Sequence, residues 1–154
     1  MDTLGFLIVD SARLLRAAFE RRIAQAGLGL TPGEARALLN IAGADGSRQL
    51  DIAARMGVEP MTLCAYLDKL QALGLIERQQ CSLDRRAKRV TLTSASDEMI
   101  GSIRKELNII VEQATEGLSE EHNRLLRETL AVFNANLQAI APSQAPQTVS
   151  HESR

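Results

Sequence analysis

The sequence predicts a mainly α-helical fold with one small β-hairpin, in the α+β class. Apolar residues recur at helical spacing through most of the 154 residues, and a period-two alternation is confined to the stretch 75–93. Hydrophobic residues make up 45% of the chain, whereas aromatic residues make up only 3%. The core must therefore be built from Leu, Ile, Val and Ala, which favours helices packed on helices.

The first two helices are marked by their apolar stripes and by their ends. One stripe predicts a long helix over residues 2–26, which two glycines terminate. Three start signals then fall together: Thr31 as N-cap, Pro32 at the first helical position and Glu34 as capping-box partner. The second helix is expected to run from there to about Ala42.

Two further helices are short and closely spaced. Ser47 is the expected N-cap of a third helix that ends near Met56. After the turn 57–59, Pro60 begins a fourth helix that runs to Leu73. Two short helices joined by a three- to four-residue turn that contains Gly have the spacing of a helix-turn-helix.

The alternating stretch from Leu75 to Thr93 predicts a hairpin, with the polar residues 81–87 as a long tip. Between residues 76 and 90 there are five basic side chains and two acidic ones, although the formal net charge of the whole chain is only −1. Such a local concentration of positive charge, next to a helix-turn-helix, indicates contact with nucleic acid.

Helical spacing returns after Ser94. One helix is expected to reach Leu118, and Ser119 is the expected N-cap of a last helix. The Ser-, Gln- and Pro-containing tail from Pro142 is expected to be flexible.

The long terminal helices carry more apolar surface than the small central unit can cover. The simplest way to bury it is against a second copy of the chain, in an isologous dimer; a larger monomeric bundle is the alternative. The predicted dimer contacts are Leu4, Leu7, Ile8, Leu126, Leu130, Phe133 and Leu137.

The fourth helix is the candidate recognition helix, because residues near the start of such a helix read the major groove. Thr62 can hydrogen-bond a base or a phosphate, and Ala65 can contact a thymine methyl group. Lys69, and Gln49 at the start of the third helix, are candidate phosphate ligands. The residues of this helix that are expected to face outward are Met61, Thr62, Ala65, Asp68 and Lys69. We call its candidate DNA contacts the recognition face; they are Pro60, Met61, Thr62, Ala65 and Lys69.

The stretch 84–93, Asp-Arg-Arg-Ala-Lys-Arg-Val-Thr-Leu-Thr, resembles the wing signature of MarR-type transcriptional regulators. The preceding Ile76 to Cys81 is similar to the SlyA branch of that family, and the resemblance extends from Leu4 to about Ile140. The chain departs from that branch at Ala65, where an arginine is frequent.

The resemblance implies a winged helix-turn-helix domain flanked by helices that build a homodimer on a pseudo-palindromic DNA operator. It implies that Arg86 enters the minor groove and that Asp84 positions it, with Arg85 and Lys88 as backbone contacts. The implied domains are an N-terminal dimerisation helix (1–28), the DNA-binding domain (30–94), C-terminal dimerisation helices (95–141) and a flexible tail (142–154).

Two forms of regulation are compatible with this interpretation. Relatives bind small anionic aromatic compounds between the dimerisation helices and the DNA-binding domain, and Arg13 and Arg16 are candidate anion partners here. Alternatively, oxidation of Cys64 or Cys81 could disturb DNA contact, although a lone thiol is usually a small filler residue.

Other functional classes find little support. No catalytic or phosphate-binding motif is present, His122 is expected at the surface, and His151 lies in the predicted tail. A protein-interaction adaptor would gain little from a basic wing. No cofactor or metal is expected, and no apolar stretch reaches the roughly 20 residues that a membrane span needs. The chain is expected to be soluble and cytoplasmic.

Overall fold

The computed structural model describes residues 3–81 and 84–141, without the side chains of 81–87. Within these residues, a run of helices is interrupted once by a two-stranded antiparallel hairpin, so the predicted fold class is confirmed. The helices are α1 (Leu4–Ala26), α2 (Pro32–Gly43), α3 (Gln49–Met56), α4 (Pro60–Ala72), α5 (Ser96–Ala114) and α6 (Glu120–Ile140). The strands are β1 (Ile76–Cys81) and β2 (Asp84–Leu92). The predicted flexible tail, 142–154, lies outside the described residues.

The first two helices begin at side chains that cap them. Helix α1 starts after Thr3, whose hydroxyl oxygen accepts from the backbone N–H of Phe6 at 3.3 Å, and it ends at Gly27 in the left-handed conformation. At α2 the predicted capping box is present. The N–H of Glu34 donates to the Thr31 hydroxyl at 3.3 Å, and the N–H of Thr31 donates to the Glu34 carboxylate at 2.8 Å. Both donors would otherwise lack a partner.

The start of α3 corrects a prediction. Ser47 is not its N-cap: that position belongs to Arg48, and the Ser47 hydroxyl instead donates to the carbonyl of Ala44 at 2.6 Å. The backbone explains the difference. The N–H of Val90 donates to the Ser47 carbonyl at 3.0 Å, and the N–H of Gly46 donates to the Val90 carbonyl at 2.9 Å. This segment therefore lies extended against β2, which keeps Ser47 one residue before the helix cap.

The hairpin occupies the predicted stretch, but its strands are longer and its tip is shorter than predicted. Its strands pair in regular register from Ile76 to Gln80, and Cys81 then pairs with Asp84 after a shift in register. The predicted loop 81–87 is therefore wrong in length, because β2 already begins at Asp84. Polar composition suggested a loop, but an exposed hairpin strand needs no apolar side chains to complete its backbone hydrogen bonds.

The core is aliphatic, as the composition predicts. Its fully buried large side chains come from α1 to α5 and from the hairpin: Ile23, Leu38, Ile41, Ile52, Leu63, Leu67, Leu70, Ile76, Val90 and Ile103. Helix α1 is also joined to α5 by an ion pair, in which both Nε and Nη2 of Arg22 lie 2.7 Å from Oε2 of Glu106.

The chain divides into two compact units, residues 1–114 and 115–154. Helix α5 ends at Ala114, so Leu118 lies in the turn before α6 and not in the predicted longer helix. The predicted cap of α6 is present, since the Ser119 hydroxyl accepts from the N–H of His122 at 3.1 Å. No residue of α6 is buried. Among the described helices, none has the length and apolar character needed to cross a bilayer.

Candidate nucleic-acid interface

Helices α3 and α4 form the predicted helix-turn-helix. Helix α3 ends at Gly57, whose φ of 64° lies in the left-handed region that favours glycine, and α4 begins with Pro60 at its first turn. The turn between them comprises residues 57–59, as predicted. Both helices bury one side in the core, through Ile52 and Met56 of α3 and the leucines of α4. This burial fixes the direction in which α4 presents its outer side.

The recognition face is exposed along its whole length. Pro60, Met61, Thr62, Ala65 and Lys69 are all open to solvent, and Met61 is 86% exposed. On the opposite side, the predicted inward leucines are fully buried, whereas Tyr66 is only half-buried. The structure thus brings the five predicted residues together on one accessible helix surface.

Gln49, the predicted phosphate ligand, is not fully exposed. It is the first residue of α3 and is half-buried, and its Oε1 is buried without a hydrogen-bond partner among the described residues. The neighbouring Arg48 is exposed and forms an ion pair with Asp51 at 3.0 Å. The prediction that Gln49 binds a phosphate therefore requires its amide nitrogen to reach outward from a partly buried side chain.

The backbone of β2 carries the predicted wing residues. Asp84, Arg85 and Arg86 lie on this strand, and their side chains are outside the described residues. Lys88 is exposed. Arg89 is also exposed, but its Nη1 donates to the carbonyl of Gly46 at 2.9 Å, so this arginine helps to hold the wing against the start of α3.

Arg78 on β1 makes contacts that the sequence did not predict. Its Nη2 lies 2.5 Å from Oδ1 of Asp68, its Nε donates to Oε1 of Gln71 at 2.6 Å, and its Nη1 lies 3.9 Å from Sγ of Cys64. We call these four residues the Arg78 cluster. The only sequence signal was Asp68, an acidic residue on the outer side of α4 that precedes Arg78 by ten residues.

The cluster also locates one of the two cysteines. Cys64 is half-buried beside Arg78, whereas the side chain of Cys81 lies outside the described residues. Among the described residues no group of His, Cys, Asp and Glu side chains is arranged to hold a metal ion. Regulation by cysteine oxidation stays a prediction.

A cavity of about 250 Å³ opens between α1, α2 and α5, lined by Ala12, Leu15, Arg16, Phe19, Arg36, Leu39 and Leu107. Partial burial lowers the pKa of the Arg36 guanidinium, and the nearby charge of Arg16 lowers it further, against the opposing effects of Glu20 and Tyr66. Of the two predicted anion partners, Arg16 lines this cavity, whereas Arg13 pairs with Asp10 at 2.6 Å.

The predicted dimer contacts lie on apolar surface that is largely exposed. Leu4 and Leu7 of α1 are at least half exposed, and Ile8 is half-buried. In α6 the leucines at 126, 130 and 137 are 40–50% exposed, and Phe133 is half-buried.

Comparisons with known proteins show what the chain is similar to. A model of the MarR family matches residues 28–87. The solved transcriptional regulator PA3341 is 31% identical, with 89% of this chain and 99% of that chain covered and a TM-score of 0.68. A MarR-family regulator from Silicibacter pomeroyi is 25% identical over 92% of each chain, with a TM-score of 0.72.

A third similar protein is the transcriptional repressor CouR, solved on a 23-mer DNA duplex. It is 25% identical, with 86% of this chain and 92% of that chain covered and a TM-score of 0.64. CouR from Rhodococcus jostii RHA1 has also been solved with bound p-coumaroyl-CoA; that structure is 22% identical and has a TM-score of 0.65 over 84% of this chain and 89% of that chain. The narrower resemblance to the SlyA branch stays a prediction.

Proposed function

The chain belongs to the MarR family of transcriptional regulators, and from this premise we propose that it is a sequence-specific repressor that binds a pseudo-palindromic DNA operator as a homodimer. The observation that carries the proposal is the exposed recognition face of α4, next to a hairpin that bears the basic residues. A helix presented in this way fits the major groove, and a basic hairpin beside it can reach the backbone or the minor groove. CouR, which has a similar fold, is bound to a DNA duplex in its solved structure.

The recognition face favours contact with DNA over a role as a protein adaptor. It combines a hydroxyl group at Thr62, a methyl group at Ala65 and an ammonium group at Lys69, all on one exposed side of α4. These groups can bind base edges and phosphates. Lys88 on β2 is also exposed and adds a cation at the wing. Ala65 provides no long base-reading side chain, so we assign a large share of the affinity to the wing.

The proposal is tested by selecting genomic fragments on the purified protein and measuring affinity for the selected duplex and for a scrambled one. We expect Arg86→Ala to weaken operator binding and to lower the slope of log K against log salt, because a cation brought into the minor groove also releases condensed counterions. Arg104→Ala removes an exposed cation of α5 and serves as the control. Transcription in vitro from the selected promoter should fall when the protein is added.

Equal affinity for the selected and scrambled duplexes would contradict the proposed function. An unchanged affinity and salt slope for Arg86→Ala would contradict only the wing assignment.

We further propose that a small anionic aromatic compound relieves repression from the cavity between α1, α2 and α5. Arg16 and Arg36 lie together there among apolar side chains, and an anion between them would offset their mutual repulsion. The volume of about 250 Å³ is below the roughly 300–1,000 Å³ of pockets for drug-sized ligands, so a single-ring compound fits best. To shift the affinity for DNA, the compound must bind one arrangement of the protein better than the other.

Calorimetric titration with 4-hydroxybenzoate tests this site. Loss of one charge-assisted contact, worth about 1.5–3 kcal/mol, should weaken binding at least tenfold in Arg36→Gln. Arg13→Gln is the matched control, because Arg13 lies outside this cavity and pairs with Asp10. Equal weakening in both variants, or equal binding of the uncharged 4-hydroxybenzyl alcohol, would contradict the assignment.

A further inference from the structure

Arg78 is turned away from the surface that the wing presents. Its side chain is 16% exposed, and three of its nitrogens approach acceptors on the neighbouring helix α4. The contacts to Asp68 and Gln71 measure 2.5 and 2.6 Å, which is short for hydrogen bonds to charged groups. An arginine held in this way is poorly placed to bind a phosphate, although the sequence counts it among the basic residues of the hairpin.

The three acceptors belong to a single side of α4. Residues 64, 68 and 71 are spaced four and three apart, so they form one row along the helix. With 3.6 residues per turn, this row lies between the buried leucines and the recognition face, next to Met61. Arg78 therefore holds α4 by the side that borders the recognition face and leaves that face uncovered.

The backbone connection between α4 and β1 fixes only the C-terminal end of α4, so the rest of the helix depends on side-chain contacts for its position. Helix α4 ends at Ala72, and Gly74, with a φ of 73°, lies in the short turn before β1. The N–H of Leu75 donates to the carbonyl of Leu70 at 3.0 Å, which fixes the near end of the helix. Cys64 lies two turns of the helix further back, toward the end that meets DNA. Among the described contacts, the Arg78 cluster is the polar link from β1 to that part of α4.

We propose that Arg78 is a positioning residue for DNA recognition: by binding Asp68 and Gln71 it fixes the recognition helix to the wing, so that both meet DNA in one geometry. This inference rests on the proposed function, because it concerns how the operator is read. A sequence-specific complex requires helix and wing to fit their grooves together, whereas binding to any duplex depends mainly on phosphate contacts. The loss of Arg78 should therefore lower specific affinity more than nonspecific affinity.

The test uses the full chain with the selected operator duplex and a scrambled duplex of equal length, at several salt concentrations. We expect Arg78→Gln and Asp68→Asn each to weaken operator binding about tenfold and scrambled binding less than twofold, with an unchanged salt slope. The double variant should be no weaker than Arg78→Gln alone, because both changes break the same contact. Arg78→Lys keeps the charge but not the planar fork, so it should restore less than half of the loss in log affinity.

Lys105→Gln is the control, because it removes an exposed cation of α5 outside the cluster. Amide hydrogen exchange without DNA gives a second measurement: exchange in residues 61–68 should accelerate in Arg78→Gln and not in Lys105→Gln. If Arg78→Gln fails to fold, Asp68→Asn still tests the inference. Asp68 is 64% exposed, so its replacement by an amide of the same shape should leave the fold intact.

Three results would overturn the inference. A salt slope lowered by about 0.9, with equal loss on both duplexes, would make Arg78 a phosphate ligand. Tighter operator binding by Asp68→Asn would show that Asp68 acts by repelling DNA. An unchanged operator affinity in Arg78→Gln would remove the positioning role while leaving the proposed function intact. In contrast, a wild-type protein that does not distinguish the two duplexes would remove the proposed function, and this inference with it.

Discussion

At Gly33, helix α2 approaches the ring of Tyr66 on the recognition helix so closely that a side chain has no room. A Cβ built on Gly33 would lie 2.5 Å from the hydroxyl oxygen of Tyr66 and 2.8 Å from its Cε1. Real Cβ atoms do not approach other atoms so closely, so the ring would have to move. Space, and not backbone conformation, favours glycine at this position, because the φ of Gly33 is not positive.

We expect Gly33→Ala to lower the free energy of unfolding by about 1–3 kcal/mol, the usual cost of forcing extra volume into a packed contact. Thermal unfolding at one protein concentration measures it. Gly43→Ala is the control in the same helix, because its Cβ would meet no atom within 4 Å. Equal melting temperatures of the two variants would contradict the prediction, because they would show that the ring of Tyr66 moves aside without a loss of stability. Adding Tyr66→Leu to Gly33→Ala should recover part of the loss.

Single residues also show where prediction from the sequence reaches its limit. Met61 and Thr62 were correctly predicted to be exposed, because helical periodicity alone decides which side of α4 is buried. The contacts of Arg78 could not be predicted, because its partners lie on another element and the pairing depends on how β1 passes α4. Counting Arg78 with the wing charge was reasonable from composition, but two of its nitrogens are occupied by acceptors within the domain.

Among the helices, α2 begins as the sequence predicts, with both hydrogen bonds of the capping box present. Thr31→Ala removes the hydroxyl that accepts from the N–H of Glu34, which should lower the free energy of unfolding by about 1 kcal/mol. Thr31→Ser keeps an acceptor in the same place and should change it by only a few tenths of that amount. Thermal unfolding of the two variants gives the comparison. Equal destabilisation by both would mean that the methyl group of Thr31, and not its hydroxyl, stabilises this end of α2.

The contrast between Thr31 and Ser47 explains which helix starts can be predicted. Thr31 has its partner three residues ahead, so the whole capping box is contained in local sequence. Ser47 precedes α3 in a similar way, but its backbone carbonyl accepts from Val90, more than 40 residues away. Backbone pairing with β2 therefore overrides the preference of Ser47 for the N-cap position. The length of the hairpin tip was mispredicted for a related reason, since strand pairing near Cys81 depends on the partner strand.

For the whole molecule, the distribution of charge matters more than its sum. A net charge of −1 gives the chain no general attraction to DNA. In the proposed complex, the basic residues near the wing act only where the hairpin meets the duplex, and a dimer would present two such wings. Two recognition helices of a symmetric dimer can enter successive major grooves about 34–36 Å apart, which a single copy cannot do. Operator binding by this chain is therefore expected to depend on dimerisation.

The exposed apolar surface of α1 and α6 leads to the prediction of the dimer itself. Leu4, Leu130 and Leu137 are 67%, 40% and 50% exposed, and none of the residues of α6 is buried. Apolar surface of this extent usually marks an interface, and a second copy supplies a matching apolar surface by symmetry. Light scattering at micromolar concentration should give twice the chain mass of 16.8 kDa.

A charge placed within that interface should separate the two copies, because a buried and unpaired carboxylate is strongly unfavourable. We expect Leu130→Glu to reduce the measured mass toward that of one chain and to weaken operator binding together with dimerisation. Leu50→Glu is the control: Leu50 is an exposed apolar residue of α3, outside the terminal helices, and its variant should remain dimeric. A wild-type protein that stays monomeric would refute the dimer. A Leu130→Glu variant that stays dimeric would instead place the contact elsewhere than α6.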